Sequence, residues 1–169
     1  NTMADFSAKV GVRTTQGLAY GMANAVRPGK TPLSSMSPSI VMKDGKPFLS
    51  VGAAGGPRII TSTLQLIINA IDYGMMMDSA VKSPHMCCLT LDQGLELEEG
   101  FSPDTIRILK ERGHKIKETS DFGVLLVLPN GIENLDGAFF PGGTSRVDGG
   151  GGVLTESGAI CIDGFCFCK

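Results

Sequence analysis

The sequence predicts an α+β fold built from hairpins and capped helices rather than a run of βαβ units, and three observations carry that expectation. Two short apolar runs, Ser39–Lys43 and Pro47–Val51, flank Asp44-Gly45, a dipeptide that readily adopts the positive φ angles of a tight hairpin turn. After Pro57, apolar residues recur at helical spacing, from Ile59 and Ile60 through Leu64, Ile67 and Ile68 to Ile71. Ser102-Pro103-Asp104 then opens a second helix that Gly113 closes, with Lys110, Arg112 and His114 near its negative end.

In chain order, residues 7–37 come first and read as a long, partly ordered loop, with Gly11, Gly17, Gly21 and Gly29 spread among Ser, Thr and Pro. It leads into "TPLSSMSPSIV", Thr31–Val41, where Pro32 and Pro38 bracket a serine pair and exclude a helix interior, because each proline removes a donor and biases its predecessor to extended geometry. The hairpin follows and ends in "VGAAGGPRII". Pro57 suits the first turn of the next helix, whose apolar residues cover so much of its circumference that it is expected to be largely buried against a sheet. Asp78–Lys82 is a short helix stopped by Ser83-Pro84, and Leu95–Glu98 alternates like a half-buried strand. Beyond the second capped helix, Lys115–Lys117, Gly123–Leu128 and Ile132–Phe139 read as strands, the last two joined by a turn at Pro129-Asn130-Gly131.

Composition narrows the function classes. A chain of 169 residues with 42% apolar side chains can bury one real core. A net charge of −2 leaves no basic stripe for phosphate backbones, and the absence of Trp with only two Tyr leaves few stacking platforms, so no nucleic-acid partner is expected. The apolar stretches Ile59–Ile71 and Val124–Leu128 are too short or too polar to span a bilayer, and no secretory leader opens the chain. Asn1 is expected to be a cleavage or truncation point, since the first residues resemble the middle of a protein. Five cysteines, Cys87, Cys88, Cys161, Cys166 and Cys168, lack the paired C-x-x-C spacing of a zinc site and read as free thiols. Neither a metal nor a cofactor is expected.

Two local motifs carry chemistry. In "GAAGG", Gly52–Gly56, a glycine pair precedes a helix, where backbone N–H groups can approach and stabilise negative charge. The turn lacks the Lys-Ser/Thr of a P-loop and the third glycine of a dinucleotide fingerprint. An oxyanion site and a turn that needs glycine for its backbone angles alone both fit it. Ser34 and Ser35 likewise fit either a ligand contact or an ordinary surface loop. Arg27 and Arg58 read as solvated surface, and neither His85 nor His114 has a catalytic context.

Taken in order, "MADFS", "PGKTPLSSMSPSIVMKDGKPFL", "GAAGGPRIITSTLQLIINAIDYG" and "EEGFSPDTIRILKERGHKI" resemble the C-terminal part of the small subunit of the γ-glutamyltranspeptidases, also called glutathione hydrolases. The resemblance runs from Asn1 to about Leu128 and more loosely to about Asp148. It implies the four-layer αββα fold of N-terminal-nucleophile hydrolases, completed by an upstream segment and by the large subunit of the same precursor as partner. Also implied is a threonine nucleophile, freed by self-cleavage, that attacks the γ-glutamyl amide of substrates such as glutathione and uses its own α-amino group as base. Asp5 resembles the carboxylate that binds the substrate α-ammonium, with Thr2 beside it, and Ser34 and Ser35 match the pair that holds the α-carboxylate. Gly55 and Gly56 match the oxyanion hole. The family likeness implies a periplasmic, secreted or outer-surface location.

This sequence departs from the family pattern in several places. The threonine-led segment is expected to lie outside this chain, because Thr14-Thr15 is followed by Gln16 and sits downstream of "MADF". Thr2 replaces a longer Gln or Glu, Gln16 falls where lidded members carry a tyrosine, and His85-Met86-Cys87-Cys88 stands in place of a more basic and polar stretch. Residues 1–153 are therefore taken as the small-subunit portion and 154–169 as a divergent Cys-containing tail. Three readings stay open: a portion of a γ-glutamyl hydrolase or transferase, a catalytically inactive light-chain-like binding module, and an N-terminal-nucleophile acylase resembling cephalosporin acylases. The paired grips for ammonium and carboxylate favour the first over the third, while a threonine-led segment immediately upstream in the encoding gene would separate the first from the second.

Overall fold

A computed structural model describes residues 5–7, 9–14, 18–118 and 127–146, together with the backbone of three strands between 152 and 167. Its main sheet has four antiparallel strands in the order β1-β2-β6-β7: β1 is Ser39–Lys43, β2 Lys46–Ala54, β6 Leu128–Leu135 and β7 Ala138–Gly142. Asp44 and Gly45 adopt φ of 51° and 76°, so the β1–β2 hairpin turns where expected, and the register slips once between Val41 and Met42. Smaller sheets join β3 (Met86–Cys87), β4 (Leu95–Leu97) and β5 (Ile116–Glu118), with β4 and β5 parallel, and β8 (Gly152–Leu154), β9 (Ile160–Ile162) and β10 (Phe165–Phe167).

Two helices, α1 (Ile59–Ile71) and α2 (Met77–Lys82), cover one face of the main sheet. Along β2, Leu49 and Val51 are buried while Ser50 between them is exposed, the two-residue alternation of a strand with one covered face. Those two residues pack with Leu66 and Ala70 of α1 and with Met77, Ala80 and Val81 of α2 to form the core. The third helix, α3 (Pro103–Glu111), is capped as its sequence indicates: the Ser102 hydroxyl accepts a hydrogen bond from the Thr105 N–H at 3.1 Å, and Gly113 takes a φ of 88°.

Two expectations are corrected. The strand β6 runs unbroken through Pro129-Asn130-Gly131, and the turn lies instead at Asp136-Gly137, with φ of 53° and 90°. Gly131 serves packing: a Cβ there would come within 2.6 Å of the Met77 sulfur and 2.9 Å of Val51 Cγ1. The expected strand Ile132–Phe139 is accordingly split between β6 and β7, and residues 119–126, which hold most of the expected Gly123–Leu128 strand, lie outside those described. Helix α1 is also less buried than its apolar circumference suggests. Its sheet-facing stripe of Ile59, Thr63, Leu66 and Ala70 is buried, but Ile60 and Leu64 remain 55% and 54% exposed on the other side.

Candidate active site

The register of the main hairpin determines which motifs share one end of the sheet. Ser39 pairs with Val51, so the chain entering β1 from Ser34 and Ser35 arrives beside the segment where β2 runs out toward Gly55 and Gly56. At that same end β6 begins, with Leu128 opposite Ala54. Three residues lie between Ser35 and Ser39 and three between Val51 and Gly55, so the serine pair and the glycine pair stand at equal chain distance from the Ser39–Val51 pair.

Gly55 has φ 154° and Gly56 φ 61°, values that side chains adopt only with strain, and they lead directly into the short 3-10 turn Gly56–Arg58 and then α1. The Gly55 carbonyl accepts the Arg58 N–H at 3.4 Å, while neither glycine N–H donates to another backbone group among the described residues. Both N–H groups thus sit just ahead of α1. Arg58 corrects the sequence reading. Its side chain is only 13% exposed and forks onto Glu96 of β4, Nε to Oε2 at 2.9 Å and Nη2 to Oε1 at 3.1 Å, with Lys117 joining at 3.1 Å. Burial alone pushes the Glu96 carboxyl upward, but the hydrogen bonds from Arg58 and Lys117 outweigh it and hold the group below its ordinary range. The ion pair anchors the exit of the glycine turn to a neighbouring sheet. Arg27, by contrast, is exposed as expected.

On the serine loop, Ser34 is exposed and its hydroxyl accepts the Met36 N–H at 3.2 Å, while the Ser35 carbonyl accepts the Ser37 hydroxyl at 3.2 Å. These short-range bonds stiffen the stretch between the two prolines and leave each of the paired hydroxyls able to donate. Asp5 is half-buried at the start of the described chain, and its carboxylate makes no ion pair among the described residues. Asn24, which the sequence reading did not single out, joins the two segments. Its side chain reaches the Asp5 carbonyl on one side and the Leu33 N–H on the other. No local signal marks it, because its partners lie 19 and 9 residues away. Thr2 and Gln16 lie outside the described residues.

A second polar cluster sits beneath the helices. Arg146 and Glu98, with side chains 0% exposed, pair through Nη2–Oε2 at 2.5 Å and Nε–Oε1 at 3.0 Å, and Arg146 also donates to the Val81 and Ser83 carbonyls. His85 lies against this pair, its Nδ1 2.9 Å from the Ser83 carbonyl and 3.0 Å from Arg146 Nη2. Burial and the Arg146 charge lower the His85 pKa, so its neutral form is favoured. Cys87 is buried and Cys88 exposed, both free thiols, and burial pushes the Cys87 thiol upward. No metal-binding group of His, Cys, Asp and Glu occurs among the described residues.

Residues 1–139 match the family model described as gamma-glutamyltranspeptidase. The glutathione hydrolase proenzyme of Escherichia coli K12 is 52% identical over 116 residues, 69% of this chain, and that of Bacillus subtilis 168 is 40% identical over 119 residues. The chain spans about a fifth of the length of these curated relatives, since each match covers 20% of the relative. Among solved structures, the T380A mutant of Helicobacter pylori gamma-glutamyltranspeptidase superposes with a TM-score of 0.77 at 39% identity, covering 86% of this chain and 78% of that one. A cephalosporin acylase from Bacillus halodurans matches at a TM-score of 0.67 and 28% identity, covering 75% of this chain and 24% of that one. The sheet with its single helical layer is thus part of the N-terminal-nucleophile hydrolase architecture.

Proposed function

Because the chain belongs to the gamma-glutamyltranspeptidase family, we propose that it supplies the substrate grips and the oxyanion hole of an enzyme that cleaves γ-glutamyl amides, glutathione among them. The reaction passes the γ-glutamyl group to water or to an amino acid. In this reading a threonine carried on a segment other than residues 1–169 attacks the γ-carbonyl carbon. Its hydroxyl proton moves to its own α-amino group, and the carbonyl oxygen takes the negative charge. The N–H groups of Gly55 and Gly56 face that oxyanion. Collapse expels the amine, which takes the proton, and leaves a γ-glutamyl ester for water or an acceptor amine to cleave.

Asp5, with Thr2 beside it, holds the substrate α-ammonium, while the hydroxyls of Ser34 and Ser35 hold the α-carboxylate. Gripping both charges discriminates strongly, because an analogue lacking either group leaves a pocket residue unpaired at a cost of about 1–3 kcal/mol. A large subunit of the same precursor completes the pocket. An extracytoplasmic site of action, in the periplasm, secreted or on the outer cell face, belongs to the same proposal. Among the described residues no helix is long and apolar enough to cross a membrane. Residues 1–153 form the small-subunit portion and 154–169 a Cys-containing tail, in which β9 pairs with β8 and β10 with β9.

The observation that supports this reading best is the β1–β2 register, which carries the serine loop and the glycine turn to one end of the sheet. The test is turnover by the complete protein of γ-glutamyl p-nitroanilide against glutaryl p-nitroanilide, the same substrate without its α-amine. Preference for the γ-glutamyl compound by tenfold or more is expected. Preference for the glutaryl compound would favour an acylase, the reading that the likeness to cephalosporin acylase keeps open. Binding of glutamate without turnover would make the chain part of an inactive module.

A further inference from the structure

We propose that Asn24 is a positioning residue that sets the separation between the ammonium grip at Asp5 and the carboxylate grip at Ser34 and Ser35; the inference rests on the γ-glutamyl reading of the pocket. Asn24 closes the short 3-10 turn Met22–Asn24 and is 8% exposed in a loop region where most neighbours are open to solvent. Its Nδ2 donates to the Asp5 carbonyl at 2.5 Å, its Oδ1 accepts the Leu33 N–H at 2.9 Å, and its own carbonyl accepts the Ser7 N–H at 3.0 Å. Partner chemistry dictates the orientation of the amide, since a carbonyl must meet the NH2 end and an N–H the oxygen end.

One planar amide therefore spans two strands of chain that touch nowhere else through a hydrogen bond among the described residues. Leu33 directly precedes the serine pair, and Asp5 carries the ammonium-binding carboxylate on the very residue whose carbonyl is held. A parallel bridge between Ser7 and Ala25 keeps the first strand in line with the Asn24 turn. A rigid amide with short bonds at both ends fixes the spacing of the two grips far more tightly than two independent loops would. A bound amino acid has a fixed distance between its ammonium and carboxylate, so pocket selectivity depends on that spacing.

The two ends of the amide can be tested separately. Asn24→Asp keeps an oxygen for the Leu33 N–H but turns a carboxylate oxygen toward the Asp5 carbonyl, so it releases the Asp5 side alone. Asn24→Ala releases both. In the complete processed enzyme, Asn24→Asp should raise KM for γ-glutamyl p-nitroanilide by about tenfold. The ratio of that KM to the KM for glutaryl p-nitroanilide should rise with it, and kcat should change by less than about threefold. Asn24→Ala should raise KM for both substrates.

Asp5→Ala, measured on the same pair, separates the two layers of the argument. If it leaves the ratio where it was, the γ-glutamyl reading falls and takes this inference with it. If it shifts the ratio while Asn24→Asp does not, the reading stands and the positioning role is wrong. A lowered melting temperature with unaltered KM in both Asn24 variants, or failure of both to give processed folded enzyme, would make Asn24 scaffold and overturn the proposal.

Discussion

Arg146 and Glu98 are removed from solvent together: the guanidinium forks onto both carboxylate oxygens and also donates to the Val81 and Ser83 carbonyls. Glu98 Oε2 also accepts the His85 N–H at 2.8 Å. Removing one partner leaves a buried charge uncompensated, so Arg146→Ala should cost about 3–5 kcal/mol in denaturant unfolding. Changing both, as Arg146→Met with Glu98→Leu, should return most of that stability. A single variant as stable as the parent would show that the pair is solvated in solution. None of this was legible in the sequence, where Arg146 stands in a glycine-rich stretch and its partners lie 48 to 65 residues upstream. Arg58 was misread for the same reason, since Glu96 is 38 residues away. By contrast, Ser34, Ser35, Gly55 and Gly56 lie in short contiguous motifs, which is why the family resemblance could mark them as candidates.

At the scale of elements, α2 lies so close on β6 and β7 that two glycines facing each other across those strands, Gly131 and Gly142, are required by contact. A Cβ on Gly142 would come within 2.6 Å of the Met77 carbonyl oxygen, a backbone atom, whereas the nearest atom to one on Gly131 is the Met77 sulfur at the far end of a flexible side chain. Gly142→Ala should therefore destabilise by about 1–3 kcal/mol and Gly131→Ala by less, read as midpoints of urea unfolding. Equal losses would mean that Met77 cannot move aside. This packing also explains why the turn after β6 was misplaced. Pro129-Asn130-Gly131 has turn composition, but its glycine is spent on helix contact, and the chain reverses at Asp136-Gly137, the same dipeptide that was read correctly at residues 44 and 45. Helix periodicity located α1, although Pro57, expected in its first turn, lies in the 3-10 turn just before it. It could not say which side would be covered, because Ile60, Leu64 and Ile71 are as apolar as the buried stripe.

For the molecule as a whole, the lowered pKa values of His85 and Glu96 tie folding to acid. His85 is held neutral below its ordinary pKa of 6.5 by burial and by Arg146, so the unfolded chain binds a proton that the folded one resists. Its contribution is fully present above pH 6.5 and is lost as pH falls below that value. Glu96 adds a second loss at lower pH, below the ordinary carboxyl value of 4.5, as the Arg58 and Lys117 hydrogen bonds give way. Folding stability should fall between pH 7 and pH 5, His85 contributing no more than the roughly 1.4 kcal/mol per pH unit that one proton allows, and His85→Gln should flatten the accompanying fall in melting temperature. An unchanged slope in the variant would place the titrating group elsewhere. The proposed function rests on contacts of the same long range: the β1–β2 register brings the serine loop and the glycine turn to one sheet end, and the Asn24 amide ties Asp5 to Leu33. The most direct measurement is KM of the complete enzyme carrying Ser34→Ala and Ser35→Ala, for γ-glutamyl p-nitroanilide and for the same compound with its α-carboxylate amidated. The account predicts a rise of about tenfold or more for the free carboxylate and a much smaller one for the amide, because a hydrogen bond to a charged group contributes about 1.5–3 kcal/mol. Equal losses for both substrates, or a loss of melting temperature alone, would contradict it.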